Sequence, residues 1–112
     1  MSAVQLNRKL TLEDPVRLPD GAGGYTITWV ALGELWANVR PGTGREKAAE
    51  FMTVSTIPFR ITVRASEHGA PSRPKADQRF RAGARVFRIL AVTESDESAQ
   101  YLTCFAQEEI ST

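Results

Sequence analysis

With 112 residues and 12.3 kDa, the chain has the length of one domain, 1–112, and enough material to bury a core. Its 42% hydrophobic and 24% charged residues exclude a disordered, collagenous or low-complexity chain, and 14 basic against 13 acidic residues leave a net charge of +1, so attraction to nucleic acid or anionic lipid has to be regional. One cysteine, Cys104, and one histidine, His68, exclude a disulfide framework and a cysteine-based zinc cluster and remove most metal and triad schemes, so the sequence speaks against an enzyme and requires no cofactor.

The start, Met1-Ser2-Ala3-Val4-Gln5, lacks the basic and apolar regions of a signal peptide, and no apolar run approaches the roughly 20 residues of a membrane span. The expectation is a protein made in the cytoplasm that contacts no membrane. Lys9-Leu10-Thr11-Leu12-Glu13 alternates apolar and polar residues, the period of a half-buried strand. Asp20-Gly21-Ala22-Gly23-Gly24 follows as a reversing loop, then a second alternating strand, Tyr25-Thr26-Ile27-Thr28-Trp29. Trp29 and Trp36 are expected in the core or at a subunit seam.

From Pro41 to Glu50 the chain opens with Pro and Gly, then sets Thr43 three residues before Glu46, a capping box leading into Lys47, Ala48, Ala49 and Glu50. This predicts a loop with at most one short helix; its glycines lack the spacing of a phosphate loop. Phe59-Arg60-Ile61-Thr62-Val63-Arg64-Ala65 is the clearest strand, with Phe59, Ile61, Val63 and Ala65 on the buried face. Residues 66–78 carry two prolines, a glycine and little apolar content, and read as a long exposed loop containing His68. Phe80 inward places Arg79 and Arg81 outward, and Ala82-Gly83-Ala84 is a turn. Val86–Val92 is apolar on both parities apart from Arg88, suiting a strand covered on both sides, and Tyr101–Ala106 reads similarly, with Cys104 as a small packed hydrophobe. About seven short strands with long loops predict an all-β protein, a small antiparallel barrel or sandwich.

Charge is segregated along the chain. Arg60 to Arg88 holds eight basic residues against Glu67 and Asp77, net +6, whereas Glu94 to the C-terminus holds five acidic residues and no basic one. Opposed patches suit head-to-tail contact between identical subunits: Arg73, Lys75, Arg79 and Arg81 of one copy would face Glu108 and Glu109 of the next. The plainer alternative is a set of solvated strand faces.

Leu6-Asn7-Arg8-Lys9-Leu10-Thr11-Leu12, Asp20-Gly21-Ala22-Gly23-Gly24-Tyr25 with Trp29, Leu35-Trp36-Ala37-Asn38-Val39-Arg40-Pro41, Gly44-Arg45-Glu46, Phe59–Arg64, Gly83–Ile89 and the last strand around Leu102 to Glu108, in this order, resemble the phage head-tail adaptor family. Its members are also called head-completion or stopper proteins and have relatives in gene transfer agents. The resemblance implies a small β-barrel that assembles as a sixfold or twelvefold ring in the virion, between the adaptor and portal ring and the tail-terminator ring, after synthesis in the host bacterial cytoplasm. In some members a loop from each subunit closes the channel and retains packaged DNA. By position, Pro41 to Ser55 matches that loop. Gly42 and Gly44 would let it swing, Thr43, Arg45, Glu46 and Lys47 would lie near DNA with the cations meeting phosphate non-specifically, and Phe51 and Met52 would meet their copies around the axis. The alternative function is a monomeric small barrel that binds nucleic acid or a peptide.

Overall fold

The computed structural model describes residues 5–42, 56–67, 69–95 and 100–109. Within them six strands form: β1 (Arg8–Pro19), β2 (Tyr25–Pro41), β3 (Thr56–Arg64), β4 (Arg79–Ala82), β5 (Arg85–Glu94) and β6 (Tyr101–Glu109). All pair antiparallel in the order β1-β2-β3-β6-β5-β4, and β4 returns to β1 to close a barrel. Closure removes the free edges that a short open sheet would offer for aggregation. No helix occurs among the described residues.

Strict alternation supplies the interior. Leu10 and Leu12 from β1, Ala37 from β2, Ile61 and Val63 from β3, Phe80 from β4, Phe87 and Ile89 from β5, and Leu102, Cys104 and Ala106 from β6 form one buried cluster. Phe87 sits opposite Phe80 and meets Phe59 edge-to-face, centroids 5.2 Å apart at 78°, an arrangement favoured by the ring quadrupoles. Burial pushes the Cys104 thiol up to about 12, so at neutral pH it packs as a hydrophobe and carries no thiolate. Arg60, Thr62 and Arg64 point outward between Ile61 and Val63, and Arg79 and Arg81 flank the buried Phe80, as the alternation predicts.

Among the described residues the strands number six, against the expected seven or so, and β2 runs unbroken for 17 residues. It does so through a bulge: the register passes from Leu12↔Gly33 to Glu13↔Ala31, leaving Leu32 without a partner, and Gly33 takes a φ of +150° that other residues rarely adopt. Only Thr11–Glu13 of β1 pairs with β4, and only Ala37–Pro41 of β2 pairs with β3. The remainder of the hairpin, from Asp14 and Val30 to the turn, therefore pairs only with itself and overhangs the barrel as an arm. Asp20 closes its tip, one carboxylate oxygen accepting the N–H groups of Ala22 (2.8 Å) and Gly24 (3.0 Å), while Gly21 and Gly23 take φ of +82° and +87°.

Three other expectations change. β5 is covered on one face only: Leu90 points outward between Ile89 and the rest of the strand, 50% exposed, and a second bulge between Ile89 and Ala91 leaves it unpaired while returning Val92 to the core. Of the two places expected for the tryptophans, core or subunit seam, the core is ruled out: Trp36 is exposed beside the Lys9 ammonium, and Trp29 is half-buried under Arg79. The loop after β3 is not wholly exposed either. Pro74 and Gln78 are buried, because Gln78 accepts the Lys75 N–H through Oε1 (2.8 Å) and donates to Asp14 Oδ1 (2.9 Å), tying the loop to β1. His68 lies outside the described residues.

This arrangement separates two large apolar positions in one strand. Phe87→Ala should cost about 3–5 kcal/mol through lost burial and the cavity left behind, read from the urea midpoint. Leu90→Ala, three residues on, should stay within about 0.5 kcal/mol in the isolated chain.

Candidate functional site

The barrel has two unlike ends. At one, β2 finishes at Pro41 opposite Phe59, Thr56 opens β3 opposite Glu109, and the Gly42 N–H donates to the Pro58 carbonyl (2.7 Å). Both ends of the segment expected to line a channel are thus delivered side by side at this mouth. Of that segment, Pro41 and Gly42 are described; Thr43, Gly44, Arg45, Glu46, Lys47, Phe51 and Met52 lie outside the described residues.

Arg85 and Glu108 span the mouth. Arg85 shares a strand face with Phe87, lies over its ring at 4.9 Å and over Phe59 at 5.8 Å. Its Nε and Nη2 donate to the two carboxylate oxygens of Glu108 at 2.7 and 3.1 Å, the planar bidentate geometry that makes guanidinium–carboxylate pairs strong. The hydrogen bond from Arg85 holds the Glu108 carboxyl below its ordinary value, and Glu108 in turn raises Arg85.

The β1–β4 seam carries a second cluster on the outer wall. Glu13 is almost fully buried, with Oε1 accepting from Arg79 Nε (2.6 Å) and Oε2 from Arg81 Nε (2.8 Å). Arg79 is itself stacked 4.1 Å above Trp29. Burial works against ionisation of Glu13, but the hydrogen bonds and charges of Arg79 and Arg81 outweigh it and hold the carboxyl below its ordinary value. Beside this cluster Pro15, Arg17, Ile27, Trp29, Asp77 and Arg88 line an open cleft of about 310 Å³.

Within one chain, then, Arg79 and Arg81 meet Glu13, whereas Arg85 of the same basic segment does reach a C-terminal acid, Glu108. Arg73 donates to the Ser66 carbonyl (2.6 Å), Lys75 is exposed, and Glu109 is exposed at the end of β6. Segment totals had concealed these pairs.

Sequence reasoning missed another surface. On the outer wall Arg40 faces Arg60, Arg60 faces Phe105 and Arg64 faces Tyr101. Arg60 lies 5.6 Å from the Phe105 ring and Arg64 5.7 Å from that of Tyr101, within cation–π range. The parity of β3 and β6 was readable, but only the pairing of β3 with β6 sets the arginines over the rings. Among the described residues no three side chains gather into a metal site.

A family model describing phage head completion proteins matches residues 1–109. Among solved structures, a chain in the virion of a native gene transfer agent (GTA) particle is 54% identical, with a TM-score of 0.82 over 98% of this chain and 100% of that one. The solution structure of protein SF1141 from Shigella flexneri 2a has a TM-score of 0.66 at 22% identity, over 96% of both chains, a likeness of fold alone. Comparison with curated protein sequences finds no match.

Because the Glu13 carboxyl is held below its ordinary value of 4.5, its contribution is fully present above that pH and is lost as pH falls through the folded-state value. Glu13→Gln should therefore lower stability at pH 7 by about 1.5–3 kcal/mol, as expected for hydrogen bonds to a charged group. It should also make stability fall less steeply on acidification below about pH 4.5, with Glu108 and Asp20, both held below their ordinary values, still contributing; urea titrations at several pH values measure both.

Proposed function

The chain belongs to the phage head completion protein family, and from that membership we propose that it is a structural ring component of the head-tail junction in a tailed phage or gene transfer agent particle. In this reading it sits between the portal-adaptor ring and the tail-terminator ring and helps retain packaged DNA. The observation that carries it is the 54% identity to a virion chain that this one matches over 100% of that chain's length.

The chemistry needed is mechanical. A closed barrel resists deformation, and the mouth at which Arg85 pairs with Glu108 brings together the ends of β2 and β3, between which residues 43–55 lie in the chain. Arg45 and Lys47 would meet phosphate without reading sequence, and Phe51 and Met52 would close against their copies around the axis. Individual subunit contacts are weak in this scheme, so the isolated chain is a monomer or weak oligomer and the portal-adaptor assembly supplies the effective concentration that forms the ring.

A second reading, a monomeric barrel that binds nucleic acid or peptide, draws support from Arg60 and Arg64 stacked on Phe105 and Tyr101. It would show as DNA affinity of the isolated chain that falls steeply with salt, without particle association.

Deleting Thr43 to Lys47 tests the favoured reading. Shortening a loop between paired strands should change stability by about 1 kcal/mol or less, and particles should assemble with the ring in place yet lose DNA before tails attach. Particles that keep their DNA would place closure elsewhere, and absence of the wild-type chain from purified particles would refute the structural role.

A further inference from the structure

We propose that the β1–β2 arm of one copy seats on the outer face of β2, β3 and β6 of a second copy, an asymmetric contact that propagates around the ring. The inference rests on the ring reading above and specifies which surfaces meet.

The arm exposes apolar side chains on both of its faces, beside Thr26 and Thr28 on one and Arg17 on the other. Leu18 (47% exposed) and Val30 (43%) lie on one, Tyr25 (67%) and Ile27 (54%) on the other. A two-stranded ribbon is at best marginally stable in water, and its own barrel can cover only one side of it. Strands of a closed barrel tilt about 35–45° to the axis, so an overhanging ribbon leaves the barrel sideways, toward a neighbour at the same level.

The receiving face has the complementary character. Its rows Arg40–Arg60–Phe105 and Asn38–Thr62–Thr103, with Arg64–Tyr101 alongside, hold three arginines, and the carboxylate of Glu109 stands off at the rim opposite Thr56. Arg40 and Arg60 stand directly opposite each other, which concentrates positive potential at one end of the face. Exposed Trp36 and Phe105 sit among these cations, the residue types that dominate protein interface energetics. The arm answers with the opposite charge at its tip, where Asp20 stands exposed, held by the Ala22 and Gly24 N–H groups, three residues beyond Arg17.

Arm and face are different surfaces of one chain. A contact between unlike patches is heterologous, and heterologous contacts generate rings. Double-stranded DNA fits the face less well, since its bases are stacked away and the exposed rings would find nothing to cover them.

Paired cysteines decide the matter inside assembled particles, where Cys104 is buried and silent. With Tyr25→Cys and Thr62→Cys in one chain, mild oxidation of purified particles should yield a ladder of linked subunits, while either single variant stays monomeric on a denaturing gel. Particles that contain the double variant but show no ladder overturn the proposal while leaving the virion role standing. Dimers from Tyr25→Cys alone mean arm-to-arm pairing and overturn it too. Should the cysteine variants fail to incorporate, Arg40→Glu with Arg64→Glu takes their place: at least a tenfold drop in incorporation is expected with the circular-dichroism spectrum unchanged. Normal incorporation of that variant overturns the contact, and normal incorporation with loss of packaged DNA assigns the face to DNA instead.

Discussion

The narrowest join in this molecule is the one that closes it. β4 is four residues long, and it meets β1 over three residue pairs, Thr11–Arg81, Leu12–Phe80 and Glu13–Arg79. Such a short ladder cannot hold by backbone hydrogen bonds alone, so side chains reinforce it from both sides. Inside, Phe80 and Leu12 join the core; outside, Glu13 is gripped by two arginines and roofed by the Arg79–Trp29 stack. Opening this seam would expose two strand edges and the interior together, and the arm would lose the wall from which it projects.

A burial that would ordinarily be costly is what makes the seam specific. A carboxylate taken out of water needs cations in good geometry, and Glu13 has two, aligned by the pleat of a strand that must place Arg79 and Arg81 on the same side. The same pleat fixes Phe80 on the other. One three-residue stretch, Arg79-Phe80-Arg81, thereby serves both surfaces of the wall.

Residues 59–65 and 79–81 show what could be read without a structure. Their alternation gives inward and outward faces directly, and the glycines flanking Asp20 and at position 83 mark true turns. What could not be read depends on which strand lies beside which. Glu13 and Arg79 are 66 positions apart, and nothing in their local sequence announces that β1 and β4 adjoin, so a count of charge by segment is blind to the pairing of Arg79 and Arg81 with Glu13. The Gly33 bulge hid for a similar reason: it changes the phase of alternation within β2, so the two halves of one strand look like separate ones. Gln78 and Pro74 read as exposed because polar and proline-rich composition signals a loop, and composition is silent on a glutamine amide that finds both a backbone donor and Asp14.

The bulge at Leu32 also separates the arm from the barrel in phase. By absorbing one residue it keeps Trp29 on the outer side with Arg79, while the strand beyond Gly33 keeps Leu35 and Ala37 turned inward. The arm's length is then set at its tip alone, between Pro19 and Tyr25, without reference to the core. Since a strand rises about 3.3 Å per residue and faces alternate, an arm that keeps the same faces outward can lengthen or shorten only in steps of about 6.6 Å. Reach is therefore a quantised, exchangeable property of this fold, and a lineage could refit the span between neighbours by inserting or deleting four residues at one turn while leaving every core side chain where it is.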